Sequence, residues 1–317
     1  MSRGEFDLIA RLVAAVPIRR RDVLAGPGDD AALLRPPPDC DLVQTIDTCL
    51  EGVHFPVGMP PADVGWRSLA VNLSDLAAMG AMPAWGLLSL AMPRADDAWL
   101  DEFARGVGEL AQAFGLDLVG GDTVRGPLAV SFALTGFVPS GEALRRRGAA
   151  PGDGIWVTGA LGGGAAGLAA WQRGEADAAA AFLRPQPRLL EGAALRGIAS
   201  AAIDVSDGLA QDLGHVLESS GVGAVLDLED IPIAAAAAAH GASTGEAMAL
   251  RGGDDYELCF TVPPSRDEEL QRVATAWPVA PSRIGVITAG PGLECCRDGR
   301  AVQVPGAGWD HFGATAS

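Results

Sequence analysis

At 317 residues the chain exceeds one typical domain and has ample length for a buried core, which points to two domains. Its formal charge of −17 argues against a sequence-independent nucleic-acid binder, which needs cations to displace counterions from phosphates. All 23 basic residues are arginine, so P-loop, protein-kinase strand-lysine and Schiff-base chemistries are excluded together with lysine.

In chain order, residues 5–16 show apolar residues at helical spacing, and Glu5 and Asp7 interrupt the apolar stretch a signal peptide needs. No uncharged apolar run reaches the roughly 18 residues of a membrane span, so a cytoplasmic protein is expected. Residues 41–47 read as a short strand ending in Asp47, and 61–81 as a long, largely apolar helix opened by Pro60-Pro61. A buried strand (84–92), an amphipathic helix opened by acids (96–115), a strand running into a glycine turn (116–123) and a further strand (128–138) follow.

The segment 139–154 combines Pro, Gly and the run Arg145-Arg146-Arg147, and separates domains predicted at 1–148 and 149–317. Beyond it come the strand GIWV, a Gly-rich turn, a strand-loop-helix over 201–221 and strands at 256–262 and 282–289. Alternating strands and helices in both halves predict an α/β or α+β architecture. The cysteines Cys40, Cys49, Cys259, Cys295 and Cys296 lack zinc spacing, and His54, His215, His240 and His311 are scattered.

Several aspartates stand where an apolar strand breaks into a Gly, Ser or Thr turn: Asp29 and Asp30, Asp47, Asp122, Asp204 and Asp207. Singly, each is explained by a helix cap or an Asx-turn. Asp75 differs, because it lies inside the apolar helix beside Leu73 and Leu76, where a carboxylate is costly unless paired or metal-bound. Asn72, one turn earlier, shares its face. The pair reads either as a polar stripe turned to a ligand or as half of an ion pair with a distant arginine. Jointly the acids suggest a hard-cation site, with Thr45 and Thr48 as further oxygen donors.

Gly162, Gly164 and Gly167 satisfy G-x-G-x-x-G after a strand, which supports a rival reading as a nicotinamide-dependent oxidoreductase. The same turn suits any phosphate at a helix N-terminus.

GEFDLIARL, GDDAA, IDT followed by His54-Phe55, NLSDLAAMGA, GGDT, DVSDGL, GGDDYEL and the terminal GWDHF occur in an order that resembles the thiamine-monophosphate kinase family, within the aminoimidazole-ribonucleotide synthetase-like superfamily. The resemblance covers essentially the whole chain. It implies a two-domain fold whose N-terminal strands pair with a second subunit in a barrel, a homodimer, followed by a C-terminal α/β domain. It implies ATP-dependent phosphorylation of thiamine monophosphate, assisted by several Mg²⁺ ions; the alternative is an ATP-dependent synthetase of the same superfamily.

Carried over by position, Asp30, Thr45, Ile46 (through its backbone), Asp47, Asp75, Asp122, Asp204 and Asp207 would hold metal. Asp47, Asp122 and Asp207 would be the catalytic acids. Gly121, Asp122, Arg146 and Ser206 would contact ATP, and His54, Asp254 and Trp309 would line the thiamine-phosphate pocket. Where the family has Gly-Gly-Glu-Asp, this chain has Gly252-Gly253-Asp254-Asp255, which leaves open which acid meets substrate, as the arginine run leaves open which arginine meets ATP. A tryptophan face beside a carboxylate attracts the thiazolium cation. The acceptor phosphate oxygen is already ionised, so no strong general base is needed.

Overall fold

The computed structural model describes residues 11–302; Trp309 and the terminal motif GWDHF, like the first half of the helix expected at 5–16, lie outside them. The chain divides into two units, Met1–Leu76 with Ala81–Gly141, and Ala77–Gly80 with Glu142–Ser317.

In the first unit a helical segment, α1, is described over residues 11–15, followed by a small hairpin of β1 (Val23–Ala25) and β2 (Leu33–Leu34). The main sheet has the order β3 (Cys40–Leu50), β6 (Ala129–Pro139), β4 (Met82–Met92), β5 (Asp117–Arg125). β3–β6 and β6–β4 are antiparallel, whereas β4 and β5 are parallel because helix α3 (Asp97–Phe114) returns the chain between them. Helix α2 (Pro61–Ala78) precedes β4.

Leu69, Leu73 and Leu76 of α2 are fully buried, as its nearly unbroken apolar sequence requires. α3 is two-faced. It buries Leu100, Phe103, Val107 and Leu110, and Asp96 caps it by accepting Trp99 N–H at 3.1 Å.

One face of the sheet buries Val130, Phe132 and Leu134. On the other, the hairpin covers one end, packing Val23, Ala32 and Leu34 against Trp85, Val119 and Phe137. The rest of that face shows Leu42, Ile46, Leu87 and Val124 at 49%, 67%, 46% and 48% exposure, interleaved with the polar rows Gln44–Thr135 and Thr48–Ser131–Ser89–Asp122.

The second unit is built on a seven-stranded sheet ordered β13 (Arg300–Val302), β12 (Gly292–Arg297), β9 (Gly223–Asp227), β11 (Ser282–Thr288), β7 (Gly154–Val157), β10 (Leu258–Val262), β8 (Ala201–Asp204). All pairs are antiparallel except β9–β12. The helices of this unit include α4 (Gly163–Gln172), α5 (Ala180–Leu183), α6 (Leu189–Ala194), α7 (Leu209–Ser220), α8 (Ala235–Ala238) and α9 (Ala242–Arg251); Leu209, Leu213, Val216 and Leu217 of α7 and Ala249 and Leu250 of α9 join Ile155, Val157, Ile203 and Leu226 in one core. The opposite face carries Trp156 beside Phe260.

Two differences from the expected elements have local causes. β3 runs on through Thr48–Leu50 because β6 pairs with it over its whole length. β10 starts at Leu258, not at 256, because Tyr256 sits at φ +52°, outside strand geometry. Among the described residues no helix is long and apolar enough to cross a membrane. Burial pushes the Cys259 thiol up to about 12, the state of a core side chain and not of a nucleophile.

Candidate active site

In the first unit α2 delivers its polar stripe to β3. Thr45 Oγ1 donates to Asp75 Oδ2, and Asn72, itself fully buried, accepts Asp47 N–H at 2.9 Å while donating to Ser68 O at 3.0 Å. Asp75 therefore meets a hydroxyl on the neighbouring strand, and its half-buried carboxylate is held there. Asp47 stands opposite Phe132, which stands opposite Leu88, which stands opposite Gly121. Asp122 is in the adjacent row, Thr48–Ser131–Ser89–Asp122, and by the alternation of a strand belongs to the other face. Gly121 has no alternative at its position, since a Cβ would lie 1.9 Å from Leu88 O.

Asp30 is exposed in the loop of the β1–β2 hairpin, where its N–H donates to Asp29 Oδ1 at 3.0 Å, a local turn contact. His54 follows β3. Its Nδ1 accepts Leu50 N–H at 3.0 Å, so Nε2 carries the proton of the neutral ring, and Arg67 Nε donates to His54 O at 3.3 Å. Ile46 is highly exposed.

In the second unit Asp204, 5% exposed, ends β8 and opens the loop Val205–Gly208. The backbone N–H groups of Ser206, Asp207 and Gly208 all donate to Asp212 Oδ2, at 3.0, 3.0 and 3.1 Å. Gln211 Nε2 donates to Asp207 Oδ2 at 3.2 Å. Burial, and then the charge of Asp207, push the Asp212 carboxyl up to about 7 against those three donors. Sequence reasoning missed Asp212; its one signal is an acid in the first turn of an otherwise apolar-faced helix.

The segment Asp254–Glu257 sends each side chain to a different task. Asp254 and Tyr256 take left-handed backbone at φ +61° and +52°, and Tyr256 Oη donates to Asp254 Oδ1 at 3.0 Å. Between them, the Asp255 carboxylate accepts Gly162 N–H at 2.7 Å and Gly164 N–H at 3.0 Å. Burial pushes its carboxyl up to about 7. Glu257, 6% exposed, takes Arg188 Nε at 2.7 Å and Nη2 at 2.5 Å, together with Thr158 Oγ1 at 2.5 Å.

This arrangement corrects the nicotinamide reading. The N–H groups that a G-x-G-x-x-G turn would offer to a pyrophosphate are occupied by Asp255, an anion from the chain itself, at the start of helix α4 (Gly163–Gln172). It also separates the two adjacent acids. Asp255 is committed internally, and Asp254, half-buried, is held by Tyr256.

The side chains of Arg145, Arg146 and Arg147 are exposed, while the backbone of this run is fastened by Ala202 N–H to Arg145 O at 2.9 Å and by Ser220 Oγ to Arg146 O at 3.3 Å. Among the described residues no three of His, Cys, Asp and Glu stand together as a metal-binding group.

Comparison with known proteins gives the site its context. Residues 28–138 match the family model for the N-terminal domain of AIR synthase related proteins, and residues 150–295 that for the C-terminal domain. The thiamine-monophosphate kinase of Escherichia coli K12 is 47% identical over 98% of this chain and 99% of its own length. The crystal structure of thiamine-monophosphate kinase from Stenotrophomonas maltophilia K279a superposes with a TM-score of 0.86 at 45% identity, covering 95% of this chain and 99% of that one. AaThiL complexed with AMPPCP and TMP superposes with a TM-score of 0.77 at 30% identity, covering 98% and 97%.

Proposed function

Because the chain belongs to the AIR synthase related proteins and, within them, to the thiamine-monophosphate kinase family, we propose that it transfers the γ-phosphoryl group of ATP to thiamine monophosphate, giving thiamine diphosphate and ADP. The observation that carries this reading is the Asn72–Asp75 stripe of the largely buried helix α2, met by Thr45 and Asp47 of β3. A buried polar stripe of that kind is retained where a ligand repays its desolvation.

The candidate donors, carboxylates with a hydroxyl and a backbone group, are oxygen only, and they fit Mg²⁺, which keeps waters and phosphates in its shell. Asp30, Thr45, Ile46 through its backbone, Asp47, Asp75, Asp122, Asp204 and Asp207 would hold such ions. When bound, Mg²⁺ neutralises charge on the transferred phosphoryl oxygens.

The chain's own residues orient the reactants. Thr45 fixes Asp75, Asn72 fixes the backbone of Asp47, and Gly121, Arg146 and Ser206 would bind ATP. His54, whose Nδ1 accepts Leu50 N–H, would line the thiamine-phosphate pocket. Asp254, held by Tyr256, supplies the negative charge that a thiazolium cation needs, with Trp309 as its aromatic partner. We assign residues 1–148 to an ATP- and Mg²⁺-binding dimerisation domain, residues 149–317 to the C-terminal domain, and the reaction to the cytoplasm. The large apolar side chains Leu42, Ile46, Leu87 and Val124, exposed on one face of the sheet, support a second copy of the chain as its cover.

A coupled ADP assay with Mg²⁺, ATP and thiamine monophosphate tests the assignment, with Asp207→Asn expected to lose turnover by orders of magnitude. No ADP above the substrate-free rate would reject it. Free phosphate in place of thiamine diphosphate, seen by phosphorus NMR, would favour the synthetase chemistry.

A further inference from the structure

The loop Val205–Gly208 is fastened on both sides. Its N–H groups at 206, 207 and 208 converge on Asp212 Oδ2. Val205 N–H donates to Glu257 O at 2.7 Å, Val205 O accepts Tyr256 N–H at 2.9 Å, and Ser206 O accepts Asp254 N–H at 2.8 Å. Gly208 sits at φ +113°, and a Cβ there would lie 2.7 Å from Arg251 Cα, so the turn admits only glycine. With its backbone committed in this way, the loop positions the Ser206 and Asp207 side chains before any ligand arrives.

What needs explaining is the choice of a carboxylate. Asp212 is 2% exposed, and its charge is buried beside another acid, Asp207. A neutral side-chain oxygen can accept N–H groups without the desolvation cost of an ion or the repulsion from Asp207. A carboxyl group held behind the loop gathers three successive N–H groups on a single oxygen. It pulls three N–H dipoles inward and so fixes the backbone that carries the Ser206 and Asp207 side chains.

We propose that Asp212 is a positioning residue of the phosphotransfer site, which preorganises Ser206 and Asp207 for the metal–nucleotide complex. It touches neither reactant and acts through the loop. The proposal rests on the kinase reading above, and its test separates the two.

The experiment compares wild type, Asp212→Asn, Asp212→Ala and the control Asp153→Asn. Asp153 is an equally buried acid of the same unit that accepts Ala150 N–H at 3.0 Å and Ser200 Oγ–H at 2.6 Å, away from the loop. Amide hydrogen exchange on the metal-free proteins reads the loop directly. Residues 206–208 should be protected in wild type and in the control, and should exchange much faster in Asp212→Ala.

Calorimetric titration with AMPPCP and Mg²⁺ reads the consequence without turnover. Affinity should fall about 10–100-fold in Asp212→Ala, the usual effect of losing an outer-shell partner, and by less in Asp212→Asn, which keeps one acceptor oxygen. The control should bind as wild type does, even if it melts earlier. Equal exchange at 206–208 in wild type and Asp212→Ala overturns the proposal, and so does faster exchange with unchanged affinity, which would make Asp212 purely structural. If wild type itself fails to bind AMPPCP, the kinase reading falls and takes the proposal with it, while the exchange contrast still identifies the clamp.

Discussion

Replacing Arg188 by methionine removes the cationic half of a buried pair. Glu257, whose side chain is 8% exposed, would lose both guanidinium bonds, at 2.7 and 2.5 Å, and keep only Thr158 as a side-chain donor. Stranding a buried carboxylate in this way costs about 3–5 kcal/mol. A domain of this size loses about 2–4 °C per kcal/mol, so thermal unfolding should fall by roughly 6–20 °C. Differential scanning calorimetry measures it, with the double variant Arg188→Met/Glu257→Gln as the decisive partner. Removing both charges should bring stability back to within about 1–2 kcal/mol of wild type, because the neutral pair no longer carries a buried ion. A single variant within about 1 kcal/mol of wild type, or a double variant no better than the single, would refute the reasoning.

Asp255 carries a pH dependence. Its carboxyl titrates at about 7 in the folded chain, against an ordinary value of 3.8 once the chain unfolds, so the folded state holds the proton more tightly. The stability it contributes is complete below about pH 4 and is lost as pH rises through about 7. The wild-type advantage over Asp255→Asn in urea unfolding should therefore shrink by up to about 4 kcal/mol between those limits, and a pH-independent difference would contradict it. Thr45→Val deprives Asp75 of its hydroxyl donor and should lower kcat about 10–100-fold with an unchanged melting temperature; wild-type turnover in the coupled assay would count against the stripe as part of the site. Ile46→Arg places a charge among the exposed apolar side chains of the first sheet, so sedimentation velocity should show a dimer for wild type and a monomer for the variant. A wild-type monomer, or a variant that stays dimeric, removes that face as the contact.

Much of the candidate site was legible because its residues break local rules. An acid inside an apolar helix, as at Asp75, or a run such as Asp204-Val-Ser-Asp207-Gly between strand and helix, conflicts with burial or periodicity and so stands out in one dimension. Asp212, Arg188 and Glu257 break no such rule. An acid in the first turn of α7 reads as an ordinary helix start, and only the return of its carboxylate onto three preceding N–H groups shows its task. The Gly162–Gly167 turn misled for a related reason. Its spacing advertises donors, but spacing says nothing of an anion 91 to 93 residues away that already fills them.

The sequence by itself determined the chemistry available: a lysine-free, acidic chain with oxygen donors at strand ends, and an α/β arrangement with a Gly- and Arg-rich break near the middle. Those are properties of composition and local periodicity, which neighbouring residues along the chain suffice to define. The tertiary structure alone decided which donors share a surface. Asp47 and Asp122 fall on opposite faces of one sheet because strand pairing sets register, and Asp254 and Asp255 part company because two left-handed residues turn adjacent side chains to different partners. Pairing and side-chain direction depend on contacts between residues distant in the chain, and these form only when the core closes.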